Sequence, residues 1–365
     1  MRPIRVGRVV RERFPCPEGL LGRLDRLVPT RATEAMDVSG LLHLCHYYGV
    51  DVEVTGGNLK TPTPVLSVLT DNRLSSLYYG EAVLHRTRYG IRFVTSINQS
   101  QKESTREHHR DQTLSVLAEC GVPLSQPLTF GTETFHLSDV LDDSVANFTL
   151  DQDELHWTAL AYAIFMPERQ TWQNHFGETF SFDDVANALL LRDLSGSSCA
   201  GTHVFYTLAI IDRVACERPI LSDGMHVKVL ERLREFVRVA GQTQRPDGSW
   251  TTQWHLNRFD RSRDLFRMIA QDGASEQLVA TGHLGEVFLI LSPRIELPTG
   301  MLARAHGWLC RSAERLLAGG GARLSCPVTH VAFVARERSV RDHASRSVVE
   351  RPAVRSEDQS KGERN

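Results

Sequence analysis

Ser198-Cys-Ala-Gly-Thr-His203-Val-Phe-Tyr-Thr-Leu-Ala-Ile-Ile211 carries no charged residue before Asp212. A helix that is apolar on every side is buried on every side. The next helical stretch, Gly224–Gly241, is of another kind. Val227, Leu230, Leu233 and Val237 recur at helical spacing, and Lys228, Glu231, Arg232, Arg234, Glu235 and Arg238 cover the remainder. That helix has one buried face and one wet face. The enclosed type recurs, starting near residues 106, 152, 198, 277 and 326. These starts are mostly about 45–50 residues apart, the length of a helical hairpin repeat. The alternation predicts an inner layer of enclosed helices and an outer layer facing water. An open stack of helical pairs would leave one face of the inner helices wet, which their composition disfavours.

The spacing therefore predicts an all-α fold, an α/α toroid of about six helical hairpins over residues 32–337. A small, partly extended insertion is expected near residues 50–100, where Val, Thr, Gly and Pro are frequent. Residues 1–31 hold eight arginines against three acids and read as a loosely attached basic arm. Residues 338–365 are charged, without an aromatic residue, and are expected to be disordered.

Composition narrows the class. The 365 residues are 41% hydrophobic and 24% charged, with a formal net charge of -2, so no global field draws nucleic acid. No apolar run approaches the ~20 residues of a membrane span. The seven cysteines are odd in number and dispersed, which points to reduced thiols and a cytoplasmic setting.

Histidine placement is the main functional signal. His156, His203, His283 and His330 each sit near the start of an enclosed helix, and His43 does so less cleanly. In a closed toroid these starts would bring several imidazoles to one rim of a central cavity. Such a rim can hold a metal, relay protons or bind an anion. The plain alternative is that each histidine bonds a carbonyl of a neighbouring helix. Cys199 and His203 lie one helical turn apart on one face. Zinc accepts thiolate and imidazole, and a catalytic site needs three protein ligands and an open position. His283 or His330 would be the third; the assignment adopted is Cys199, His203 and His283. The sequence names no cofactor; zinc is the one this donor set suits. The cluster Glu107-His108-His109-Arg110-Asp111-Gln112 opens another helix, and places His109 beside the rim if that helix is an inner one.

A resemblance rests on Gln244-Arg-Pro-Asp247-Gly248-Ser-Trp250. This turn resembles the Gln-x-x-x-Gly-x-Trp element of triterpene cyclases and the Asp-Gly-Ser-Trp turns of protein prenyltransferase β subunits. Both families are α/α toroids. Asp151-Gln-Asp153-Glu154 likewise resembles the Asp-x-Asp-Asp acid motif of class II terpene cyclases, although carboxylates at a helix start also serve as caps. The resemblance implies an acid role for Asp153 or Glu154, and His156, from the histidine series, joins them as a catalytic candidate. Ligand contacts are expected from His109, Glu286 and His330 by their places at the rim and on inner helices, and from Trp157 and Tyr206, whose aromatic faces would stabilise the cations of such chemistry. Three departures stand. The acid motif ends in Glu, Leu155-His156 replaces the family's following Thr-Ala, and the Asp-x-Cys zinc pattern of prenyltransferases is absent, because Ser197 and Ser198 precede Cys199.

The expected function is that of a terpenoid cyclase- or prenyltransferase-like toroid acting on a small or isoprenoid-like ligand in a central cavity. The alternative is a non-catalytic module that binds a ligand or a protein. The partners expected are a small molecule and, through the terminal arms, another protein; nucleic acid and membrane are not.

Overall fold

A computed structural model describes residues 3–27, 31–32, 36–95, 106–194, 198–255, 274–318, 330, 333–335 and 337–338. Helices dominate. They are α1 (Leu20–Leu27), α2 (Val38–Tyr48), α3 (Val65–Thr70), α4 (Asn72–Tyr79), α5 (Gln112–Glu119), α6 (Leu137–Ala146), α7 (Leu155–Phe165), α8 (Phe182–Leu190), α9 (Thr202–Ala215), α10 (Asp223–Thr243), α11 (Ala274–Ile290) and α12 (Met301–Ala318). The helix expected over 258–269 and the charged tail beyond 338 lie outside the described residues.

The fold is mostly helical, and four small sheets accompany the helices. The 50–100 insertion supplies two of them, interleaved with α3 and α4. Strands β2 (Glu53–Val54) and β3 (Thr63–Pro64) pair antiparallel, with β1 (Arg31–Ala32) beside β2. Strands β4 (Leu84–Arg86) and β5 (Ile91–Phe93) form a hairpin. Two further hairpins were not expected: β6 (Pro127–Phe130) with β7 (Glu133–His136), and β8 (Thr171–Gln173) with β9 (Thr179–Ser181). Each runs directly into a helix. Asp139 closes a capping box on His136 at the start of α6, and Asp184 closes one on Ser181 at the start of α8. The text repeats accordingly: Glu133-Thr-Phe-His-Leu-Ser-Asp-Val140 is echoed by Glu178-Thr-Phe-Ser-Phe-Asp-Asp-Val185.

Packing separates two kinds of helix. Helices α2, α5, α7, α9 and α11 lie against one another in that order. Every residue of α7 is buried, as expected of a helix apolar all round. His330 meets His43 of α2 on one side and Glu286 of α11 on the other. Helices α6, α8, α10 and α12 pack outside them: α6 on α5, α8 on α7 and α9, α10 on α8 and α9, α12 on α11. Helix α10 keeps its charged face wet while Leu233, Phe236 and Val237 are buried. Phe236 stacks on Phe205 with centroids 4.4 Å apart, joining the two layers.

The basic arm is not loosely attached. Ile4 N–H donates to Ile164 O at 3.1 Å, and Phe14 N–H to Arg338 O at 2.8 Å. Arg11 donates to Ile295 O at 2.6 Å and to Ser292 O at 2.5 Å. Arg11 therefore docks the arm on the backbone carbonyls that follow α11, and Arg13 donates to Glu337 O. Among the described residues no helix is long and apolar enough to cross a membrane.

Candidate functional site

Imidazoles carried by the inner helices form a continuous arc. His156 of α7 stacks parallel to His203 of α9, with centroids 5.5 Å apart and planes 6° apart. His203 meets His283 of α11 edge-on at 4.7 Å, and His283 lies 3.8 Å from His330. His330 Nε2 is 3.2 Å from His43 Nε2. On the other flank Trp157 sits 4.5 Å from His203, and His109 stacks on Trp157 at 6.1 Å. Six elements thus deliver aromatic rings to one place. His156 and His203 lie in the first turn of α7 and α9 and His109 just before α5, whereas His43 sits midway along α2 and His283 well inside α11.

Three non-glycine residues among those described adopt left-handed backbone: Asp111 at φ 60, Glu154 at φ 55 and Cys199 at φ 48. All three stand at the entry of α5, α7 or α9, beside this arc. Such conformations cost about 1–2 kcal/mol each for a side chain with a Cβ, and persist where surrounding contacts hold them. Thr202 Oγ1 donates to Cys199 O at 2.7 Å and fixes that turn. At Glu154 the left-handed turn withdraws the carboxylate from a capping role; it makes no cap hydrogen bond to α7. Instead Glu154 Oε2 faces His156 Nε2 at 3.0 Å and His109 Nδ1 at 3.6 Å. The His156 contact lies off the line of a good hydrogen bond.

Cys199, His203 and His283 bring one donor atom each within 4.8 Å of one another. Burial, reinforced by His283 and His156, holds the His203 pKa well below its ordinary value, so its ring is neutral and keeps a lone pair. His283 Nδ1 is 3.5 Å from Glu286 Oε2, which leaves Nε2 on the opposite side of the ring. Glu286 is a hub. It also holds His330 Nδ1 at 2.5 Å and lies 3.9 Å from His46 Nε2. Burial alone would raise its carboxyl; His330, the hydrogen bonds from His283 and His330, and His46 outweigh that and hold it well below the carboxylate range.

Behind the arc lies a cavity of about 290 Å³ between α2, α5, α9, α11 and the arm. His46, Glu119, Tyr206 and Arg8 are among the polar groups that line it. Tyr206 follows His203 by three residues and so shares its face. Its hydroxyl donates to Glu119 Oε1 at 2.5 Å. Burial pushes the Glu119 carboxyl up to about 7, against the pull of the Tyr206 hydrogen bond. Burial takes His46 down to about 4 despite Glu286.

Of the residues singled out in the sequence, His109, Glu154, His156, Trp157, Cys199, His203, His283, Glu286 and His330 are gathered at the arc, and Tyr206 lines the cavity. Asp153 is exposed, and no described contact joins it to the arc. Asp111 turns inward, where its Oδ2 accepts from Ser144 Oγ and Thr158 Oγ1 at 2.7 and 2.6 Å. Sequence reasoning missed Glu119 and Arg8, and noted His46 beside His43 without giving it a role. Glu119 follows an apolar run and reads as a solvated helix end, and Arg8 belongs to an arm that gave no sign of docking.

Compared with known proteins, the chain matches no family model, no curated protein and no solved structure.

Proposed function

We propose that the protein is a zinc-dependent enzyme acting on a small molecule held between its inner helices. The supporting observation is the convergence of Cys199, His203 and His283 within 4.8 Å beside the His156–Glu154 pair. One thiol and two imidazoles form a zinc donor set, with a fourth position left for water or substrate. Zinc bound there would supply Lewis-acid activation of an oxygen ligand. The chain's own groups do the rest. Glu286 orients His283 through Nδ1, the carboxylate–histidine arrangement that fixes a metal-ligating ring. His156, steered by Glu154, is placed to accept a proton beside His203 and to return it. Arg8, Glu119 and Tyr206 give the cavity a charged and hydrogen-bonding end, which suits a small ligand with a polar group better than a bare isoprenoid chain.

The order in which α2, α5, α7, α9 and α11 contact one another supports a closed α/α toroid, with His330 between α11 and α2 as the sixth station. The Gln244–Trp250 turn is consistent with the toroid resemblance and carries no information about the substrate.

Elemental analysis and native mass spectrometry of the full chain from its source cells test this reading. The expected result is bound zinc and a co-purifying small molecule. One equivalent of zinc disappears in Cys199→Ala and in His203→Ala, with far-UV circular dichroism unchanged. Identical zinc content in the wild-type chain and both variants would overturn it.

A further inference from the structure

The far end of α9 holds a second set of donors that the rim does not use. Asp212 is fully buried, nine residues after His203. At 1.5 Å per residue this places it about 13 Å along the helix axis from the arc. Its Oδ1 accepts the His226 Nε2–H at 2.8 Å. Its Oδ2 is buried and has no hydrogen-bond partner among the described residues. An unsatisfied carboxylate oxygen in the interior calls for an explanation, since buried polar atoms are almost always paired. Cys216 follows Asp212 by four residues and so lies on the same face. His226 comes from the first turn of α10. The donor atoms of Asp212, Cys216 and His226 lie within 4.8 Å of one another.

We propose that Asp212, Cys216 and His226 bind a second divalent metal ion, of the zinc and cobalt class, that fastens the end of α9 to the start of α10. The mixed oxygen, sulfur and nitrogen set selects a borderline transition metal over calcium or magnesium, which take oxygen ligands. The orphaned Oδ2 gains a partner. The hydrogen now between His226 and Asp212 marks the place a cation takes, with the imidazole ligating as its Nδ1–H tautomer. Cys216 ligates as thiolate, and its proton passes to solvent. Without metal, burial and the neighbouring Asp212 raise the Cys216 thiol and keep it protonated. Cys216 is exposed, so the fourth position opens to water.

The test is cobalt titration of the full chain after chelator treatment. The expected uptake is two equivalents, with thiolate-to-cobalt charge-transfer absorption in the near ultraviolet. Cys216→Ser and His226→Ala should each lose one equivalent and part of that absorption. Cys199→Ala should lose the other equivalent and keep this one. In the Cys199→Ala chain, cobalt should raise the melting temperature, and adding Cys216→Ser should abolish that rise. Cobalt uptake by Cys216→Ser and His226→Ala equal to wild type would overturn the proposal. So would a Cys199→Ala chain with no thiolate–cobalt band. Failure of the rim site alone would instead leave Cys199→Ala unchanged while Cys216→Ser still loses its equivalent.

Discussion

The Gln244–Trp250 turn and the imidazole arc are both polar constructions near the core, and they are built on opposite principles. In the turn the polar groups are matched. Gln244 Nε2 donates to Gly248 O and Met301 O at 3.1 and 3.0 Å, and Gln244 Oε1 accepts from Arg304 at 2.7 Å. Trp250 Nε1–H donates to Ala240 O at 2.7 Å, and Asp247 Oδ1 accepts the Ser249 N–H and hydroxyl. Positive φ is assigned to glycine there, at Gly248. In the arc, Glu154 and Cys199 carry positive φ without being glycine, and Trp157 Nε1 has no acceptor among the described residues. Saturated hydrogen bonding marks a brace. Strain and unspent donors, held in place by well-packed helices, mark a place where something else binds.

The largest effect expected from this contrast is in the brace. Gly248 has φ +99, and a Cβ there would stand 2.1 Å from Arg304 O. Neither backbone can yield without breaking the Gln244 bonds. Gly248→Ala should destabilise the protein by about 4 kcal/mol, since it combines backbone strain with a clash. Urea denaturation measures it. Zinc content at a temperature where the variant is folded should be unchanged. A loss under ~1 kcal/mol would remove the turn from the bracing role.

Glu119 sharpens the other side. Its folded pKa of about 7 stands above the ordinary 4.5. Between these values the folded chain keeps a proton that the unfolded chain has released. Its contribution is therefore fully present below pH 4.5, declines as pH rises, and levels off above about 7. His46 acts in the opposite direction. Held near 4, it lets the unfolded chain take up a proton first as pH falls below 6.5, and so costs stability in acid. Glu119→Gln isolates the first group. Its stability relative to wild type should improve by about 3 kcal/mol between pH 4 and pH 8, at 1.36 kcal/mol per pKa unit. Parallel pH profiles for the two chains would mean that Glu119 is hydrated and the cavity wetter than its lining suggests.

Much of this was legible in the sequence, and the parts that were not share a cause. Enclosed and half-exposed helices differ in where charge falls, so Ser198–Ile211 and Gly224–Gly241 declared their layers directly. His156 and His203 do begin α7 and α9, but His283, read as close to a helix start, lies well inside α11, which begins at Ala274. The β6–β7 and β8–β9 hairpins were readable but unread. Thr-Phe-Gly-Thr-Glu-Thr-Phe-His over 129–136 alternates around a glycine with φ 62, and its echo near 178 sits a hairpin length away. The cavity was not readable. Arg8, His46 and Glu119 are separated by about forty and seventy residues, and only tertiary packing unites them. The orphaned Asp212 was equally silent, since an acid closing an apolar helix reads as a wet end. The local conformation at Glu154 was hidden too. Carboxylates before a helix suggest a cap, and the left-handed turn that denies this role leaves no compositional mark.

That turn yields the smallest and cleanest prediction. Glu154→Ala and Glu154→Gly both delete the carboxylate that faces His156, so neither retains the pair. They differ in one respect: alanine keeps a Cβ at φ 55 and glycine does not. Removing that strain outweighs the extra freedom glycine gains in the unfolded chain, leaving Glu154→Gly more stable than Glu154→Ala by about 1 kcal/mol. In an ordinary helix position the order is reversed, because glycine costs roughly 0.5–1 kcal/mol relative to alanine. The sign of the difference therefore reports whether backbone strain is stored at the entry of α7. If Glu154→Ala is the more stable of the two, the rim holds its carboxylate in a relaxed turn, and the contrast with the brace fails at the residue on which it depends most.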